Sequence, residues 1–179
     1  GRELLGNLFG YEKAEFDSAY VAADTVKMHE KAYIMRSLLT DLDMLNAQHP
    51  FCTVDKWIDQ AREFGQTPEV KDYYEMNARR LITTWGGDLN DYAVRNYSGL
   101  IANYHAKRWE IYIDEAFRSV RTGTPFRDKE RIKATNEFQL SFADKHGEQF
   151  PKYQGIELLS FSRALASKYA TELQSWLTK

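Results

Sequence analysis

Apolar residues recur at intervals of three and four along nearly the whole chain, the spacing that gathers them on one face of an α-helix. From Glu3 to about His49 the series is Leu4, Leu5, Leu8, Phe9, Phe16, Ala19, Tyr20 and Ala23, then Met28, Ala32, Met35, Leu38, Leu39, Leu42 and Leu45. It predicts two consecutive helices, or one long bent helix, breaking near Ala23-Asp24-Thr25. His49-Pro50-Phe51 ends the series, because the residue before a proline is pushed out of the α region. Thr53 then reads as the N-cap of a short helix carrying Val54, Trp57, Ile58, Ala61 and Phe64, closed by Gly65 at the C′ position. Thr67-Pro68 pairs an N-cap with a proline in the first helical position. That helix is expected to run through Val70, Tyr73, Tyr74, Ala78 and Ile82 to Gly86-Gly87.

Asp88 or Asn90 is placed to cap the longest series, which includes Leu89, Tyr92, Ala93, Tyr97, Leu100, Tyr104, Trp109, Tyr112, Ala116, Phe117 and Val120 and stops at Gly123-Thr124-Pro125. Further helices are expected near Asp128–His146, closed by Gly147, and over roughly Ile156–Leu177. No stretch sustains period-two alternation and none carries an Asn-Gly hairpin turn. The predicted class is all-α: a single domain over 1–179 in which six to seven antiparallel helices form an irregular bundle with short loops and no sheet.

A chain of 179 residues is long enough to bury a real core. Its formal net charge of −2 provides no electrostatic footprint for nucleic acid and no basic face for anionic membranes. No apolar run approaches the length that spans a bilayer, so membrane insertion is not expected. Gly1-Arg2-Glu3-Leu4-Leu5 lacks the regions of a signal peptide. An opening Gly without Met reads as the edge of a piece cut from a longer polypeptide. The lone Cys52 rules out an internal disulfide and a cysteine-based metal site.

No complete set of catalytic residues stands out, and no cofactor is implied. His29-Glu30-Lys31-Ala32-Tyr33 begins like a zinc-protease motif but carries Tyr where the second His belongs. The four histidines are scattered, and none follows a Glu by three positions, so the di-iron bundle signature is missing. Tyr97-Ser98-Gly99 lacks the first Gly of a nucleophile elbow and is expected inside a helix. For the same reason the sequon Asn96-Tyr97-Ser98 reads as coincidence. Asp41 and Asp43, two positions apart on a helix, point to nearly opposite sides and cannot flank one glycosidic bond. They read as a solvated face plus one structural contact, with one carboxylate buried against an arginine. Gly86-Gly87 is neither a GxGxxG nor a P-loop. Trp85, Leu89 and Tyr92 are expected to converge around the glycine turn, to serve either as core or as a wall for a sugar ring.

Several segments taken in order resemble the C-terminal, all-helical domain of the α-N-acetylglucosaminidases, family 89 of the glycoside hydrolases. They are Leu38-Leu39-Thr40-Asp41-Leu42-Asp43, Tyr74-Glu75-Met76-Asn77-Ala78-Arg79, Thr83-Thr84-Trp85-Gly86, Leu89-Asn90-Asp91-Tyr92-Ala93, Ser98-Gly99-Leu100-Ile101-Ala102-Asn103-Tyr104 and Lys107-Arg108-Trp109. The match is weakest after about Pro125. Phe51-Cys52-Thr53-Val54-Asp55 departs from the more apolar run expected there, and some members have a longer loop between the Trp-Gly and the Asp-Tyr. The resemblance implies a retaining exo-hydrolase that removes terminal α-linked N-acetylglucosamine, as in heparan sulfate breakdown, with both catalytic carboxylates on a (β/α)-barrel outside this sequence. It implies two partners, that barrel in the same polypeptide and the glycan itself, and a protein exported from the cytoplasm. It implies no catalytic residue here, and it makes Trp85, Leu89 and Tyr92 the substrate-pocket wall. The alternative is a free-standing helical module for carbohydrate binding or protein interaction.

Overall fold

The computed structural model describes residues 1–85, 95–150, 152–153 and 155–178. Among them are eight α-helices: α1 (Arg2–Val21), α2 (Thr25–Asn46), α3 (Val54–Arg62), α4 (Pro68–Leu81), α5 (Ala106–Thr122), α6 (Asp128–Ala143), α7 (Leu158–Lys168) and α8 (Ala170–Leu177). A π-helical turn, Ile101–His105, leads directly into α5. The described residues contain no sheet, only an isolated parallel bridge between Thr53 and Ser98. The fold is all-α, as the spacing predicts, with one helix more than the expected six or seven.

Of the two readings of the first series, two helices is correct. Ala23 adopts φ 53°, which a continuous helix cannot contain, and the Asp24 side chain accepts the Lys27 N–H at 3.0 Å to start α2. The hairpin is antiparallel. Leu5 and Leu8 meet Leu38, Leu39 and Leu42, while Phe16 and Ala19 meet Met28, Ala32 and Met35 at the other end. The π-helical turn and α5 lie across both, with Ile101 in the first cluster and Ile113 and Ala116 in the second. A third cluster joins Val54 and Ile58 of α3 to Ile82, Leu100, Tyr104, Phe142 and Phe150. Side chains buried this completely contribute about 1.5–3 kcal/mol each, and they fix the frame on which the remaining polar features sit.

Thr67-Pro68 opens α4 as expected, its hydroxyl accepting from Val70 N at 3.4 Å. Gly123, at φ 61°, closes α5. Four expectations are corrected. Gly65 is not a left-handed cap; it is needed because a Cβ there would meet the Lys71 backbone N at 2.6 Å. On α4 the buried face is Glu75, Ala78 and Arg79, whereas Val70 and Tyr73 of the predicted apolar series are exposed. The longest series does not include Tyr97 in a helix: residues 95–99 are non-helical, and helical structure starts at Leu100, while the expected start at Leu89 lies outside the described residues. The last series breaks at Tyr169, whose buried hydroxyl donates to Asp41 at 2.5 Å, so α7 and α8 are separate helices. No helix among the described residues is long and apolar enough to cross a membrane.

Candidate functional site

Of the three residues expected to form a pocket wall, Trp85 is described. Leu89 and Tyr92 lie outside the described residues, as do the Asp88 and Asn90 caps. Trp85 follows the end of α4 and is 49% exposed, unusual for the largest apolar side chain. Its backbone N donates to Arg80 O at 2.8 Å, and Thr83 Oγ1 donates to Arg79 O at 2.7 Å. The turn that carries the indole is thus tied back onto the last turn of the helix.

That last turn is itself held from inside. Arg79 is completely buried, and its guanidinium lies over the rings of Phe142 and Phe150 at 5.0 and 5.3 Å. Nε and Nη2 both donate to Glu75 Oε1, at 3.0 and 2.9 Å, while Nη1 reaches Glu148 Oε2 at 3.3 Å. The other Glu75 oxygen accepts from Arg62 of α3 at 2.5 Å and from Gly147 N at 3.2 Å. In the sequence these two charges stand four positions apart, hence on one helix face, within the family-like segment Tyr74–Arg79. Their burial was not foreseen.

The chain re-enters at Arg95 through a second set of ties. His105 Nε2 lies 2.9 Å from Arg95 O, and Asn46 Nδ2 donates to Asn96 O at 2.7 Å. Ser98 N donates to Cys52 O at 2.7 Å, and Val54 N to Ser98 O at 3.0 Å, which forms the bridge to Thr53. Gly99 N and Ala102 N donate to one Asp43 oxygen at 2.7 and 3.1 Å, and Ser98 Oγ to the other at 3.2 Å. Asp43 therefore caps the π-helical turn from another helix. Burial pushes its carboxyl up from the ordinary range, against these hydrogen bonds, which favour the charged form. Trp85 and Arg95 are thus each tied to neighbouring structure by hydrogen bonds at their backbone atoms.

Three sequence readings change here. Ser98 is not inside a helix; it sits between the bridge and a left-handed Gly99, but its buried hydroxyl is committed to Asp43. Asn96, likewise, is exposed and non-helical. Asp41 and Asp43 are both buried, and their partners are not arginines: Asp41 accepts from Lys168 Nζ at 2.7 Å and from Tyr169. Among the described residues no group of His, Cys, Asp and Glu is arranged to hold a metal.

Beside Trp85 in sequence, α3 and α4 enclose an open groove of about 580 Å³, lined by Trp57, Ala61, Phe64, Tyr74, Ala78 and Leu81 together with the polar Gln60, Glu63 and Asn77. Trp57 Nε1 donates to Ala78 O at 2.8 Å, which leaves its ring as apolar floor. Phe64 is 72% exposed and Leu81 41%. Six of the nine lining side chains are apolar or aromatic and only Glu63 is charged, a balance that suits another largely apolar surface.

Comparison with known proteins gives one consistent result. The family model described as the alpha-N-acetylglucosaminidase (NAGLU) C-terminal domain matches residues 1–168. Human alpha-N-acetylglucosaminidase is 30% identical over 172 residues, which cover 94% of this chain and 23% of the human protein. The family 89 glycoside hydrolase from Clostridium perfringens, solved with its substrate GlcNAc-alpha-1,4-galactose, superposes with a TM-score of 0.80 at 24% identity, over 93% of this chain and 20% of that one. The same enzyme in complex with PUGNAc gives a TM-score of 0.79 at 23% identity. The chain thus spans less than a quarter of the length of these relatives.

Proposed function

The chain belongs to the family of α-N-acetylglucosaminidase C-terminal domains, and on that premise we propose that it is the helical accessory domain of a retaining exo-α-N-acetylglucosaminidase. In this reading residues 1–179 form one domain that docks on a catalytic barrel in the same polypeptide. The acid/base and nucleophile belong to the barrel, since a retaining route needs two carboxylates about 5 Å apart across one cleft. This domain contributes apolar surface: Trp85, with Leu89 and Tyr92, walls the pocket for terminal α-linked N-acetylglucosamine. An indole face suits one side of a sugar ring, which presents C–H groups there and hydroxyls at its rim.

The observation that carries the reading is a half-exposed Trp85 on a turn tied to a buried frame. An aromatic serving only the core would be covered, and one on a loose loop would present no fixed face. The exposed Phe64, Tyr74 and Leu81 of the α3–α4 groove supply the apolar face that the barrel covers.

Two measurements test this. The isolated domain should not cleave 4-nitrophenyl α-N-acetylglucosaminide, and in the full-length enzyme Trp85→Ala should lower kcat/KM by roughly ten- to a hundred-fold with the melting temperature unchanged. Parental kinetics in Trp85→Ala would make the indole a packing residue. Micromolar binding of N-acetylglucosamine by the isolated domain, followed by Trp fluorescence, would instead favour a free-standing binding module, because half a pocket binds weakly.

A further inference from the structure

We infer that Arg79 is a positioning residue for the aromatic wall at Trp85, an inference that rests on the pocket-wall reading above. The starting point is that the Glu75–Arg79 pair is a poor device for stability alone. Both side chains are removed from water, at 1% and 0% exposure, and the desolvation of two charges is repaid only by very good geometry. An apolar pair of similar volume would fill the same space without that cost.

What the charged pair adds is orientation. The guanidinium is planar and its donors leave in fixed directions. Here one edge meets Glu75, Nη1 meets Glu148 and lies 3.4 Å from Phe142 O, and the central carbon lies over the rings of Phe142 and Phe150. Glu75 in turn reaches Arg62 on α3 and Gly147 beyond α6. Rotating α4 about its axis, or sliding its last turn, would break several of these contacts at once. Greasy packing between α4 and α6 would tolerate such movement.

The clamp connects to Trp85 by short steps. Thr83 Oγ1 binds the carbonyl of Arg79 itself, and Trp85 N binds the carbonyl of the next residue, Arg80. Arg80 is also tied to the C-cap of α6, Nη2 donating to Asp144 Oδ1 at 2.7 Å. The indole therefore leaves a turn whose backbone is registered against α6 by Arg79 and Arg80 together. Its distance from a bound sugar is set within the protein, not by the sugar.

The test uses the full-length enzyme and 4-nitrophenyl α-N-acetylglucosaminide. Arg79→Lys keeps the charge but loses the fork, and it should raise KM about ten-fold with kcat little changed, since displacing a binding wall weakens binding before chemistry. Thr83→Val, which removes one hydroxyl at nearly constant volume, should raise KM by a smaller factor while circular dichroism and melting stay near parental. In a Trp85→Ala background Thr83→Val should add nothing further, because its effect passes through the indole. A purely structural role would leave the two substitutions additive, and additivity overturns the inference. So does a folded Thr83→Val enzyme with parental KM; that variant decides the matter should Arg79→Lys fail to fold. Parental kinetics in Trp85→Ala overturns the pocket-wall reading, whereas a sensitive Trp85 beside an insensitive Arg79 and Thr83 overturns the positioning role alone.

Discussion

Asp41 and Asp43 lie two positions apart on α2 and hold different parts of the chain. Asp41 takes the ammonium of Lys168 and the hydroxyl of Tyr169 where α7 breaks into α8. Asp43 takes the backbone N–H groups of Gly99 and Ala102, where the π-helical turn begins. The near-opposite directions of i and i+2 on a helix, which prevent these carboxylates from acting on one bond, let a single turn of α2 organise both later segments.

Asp43 is the sterner test of that arrangement. Asp43→Ala leaves two backbone N–H donors and the buried Ser98 hydroxyl without their acceptor. The expected loss is about 2–4 kcal/mol, or roughly 5–12 °C in melting temperature for a chain of this size. Thermal unfolding by circular dichroism would measure it. A melting temperature within about a degree of the parent would mean that the helix start is held by other contacts.

Glu115 gives a pH signature. Hydrogen bonds from the Arg127 and Arg118 guanidiniums hold its carboxyl at about 2, below the ordinary 4.5. A depressed carboxylate contributes stability that is present above the ordinary value and lost as pH falls towards the folded-state value. Glu115→Gln should therefore cost on the order of 2 kcal/mol at pH 7, discounted because Arg127 is half-exposed. In urea titrations the gap between parent and variant should narrow as pH falls from 4.5 towards 2. An equal gap at pH 7 and pH 3 would assign the effect to packing.

Two glycines should respond with opposite signs. Gly99 adopts φ +84°, and a Cβ there would lie 2.6 Å from Val54 Cγ1 and 3.1 Å from the Phe150 side chain. Gly99→Ala should cost about 2–4 kcal/mol from backbone strain and overlap. Gly10, inside α1, has open space where its Cβ would go. Gly10→Ala should stabilise by about 0.5–1 kcal/mol through the lower helical entropy cost. Denaturant midpoints of the two variants check both signs.

The docking face proposed above would separate folding from assembly. Phe64→Ser with Leu81→Ser should leave the isolated domain's stability within about 0.5 kcal/mol for each change, because both side chains already face solvent. In the full-length enzyme the same pair should lower the melting temperature and expose the interdomain junction to limited proteolysis. Unaltered proteolysis of the full-length variant would remove this groove from the interface.

Much of the framework is legible without coordinates. Thr67-Pro68 and Gly123 mark helix ends, because the proline ring and the left-handed glycine act through their own residue and its immediate neighbours. The order of family segments is legible too, and it points to Trp85. The face of α4 is not. Tyr73, Tyr74, Ala78 and Ile82 satisfy a helical repeat, yet the helix is turned so that Glu75, Ala78 and Arg79 face inwards. Rings exposed on Tyr73 and Phe64 look identical in sequence to rings that pack.

The sequence by itself determined that this chain is helical, where several of its helices start and stop, and to which family it belongs, since these depend on short-range sterics and on the order of residues along the chain. Only the tertiary structure decided that Arg79 is buried, with its carbonyl bound by Thr83 just before Trp85, and that the series through Tyr97 gives way to non-helical residues before Leu100. Those outcomes depend on partners dozens of positions away, Asp43 for Gly99 and Phe142 for Arg79. Helical periodicity describes one helix against an unspecified interior; it contains no information about which neighbour fills that interior or what charge it brings.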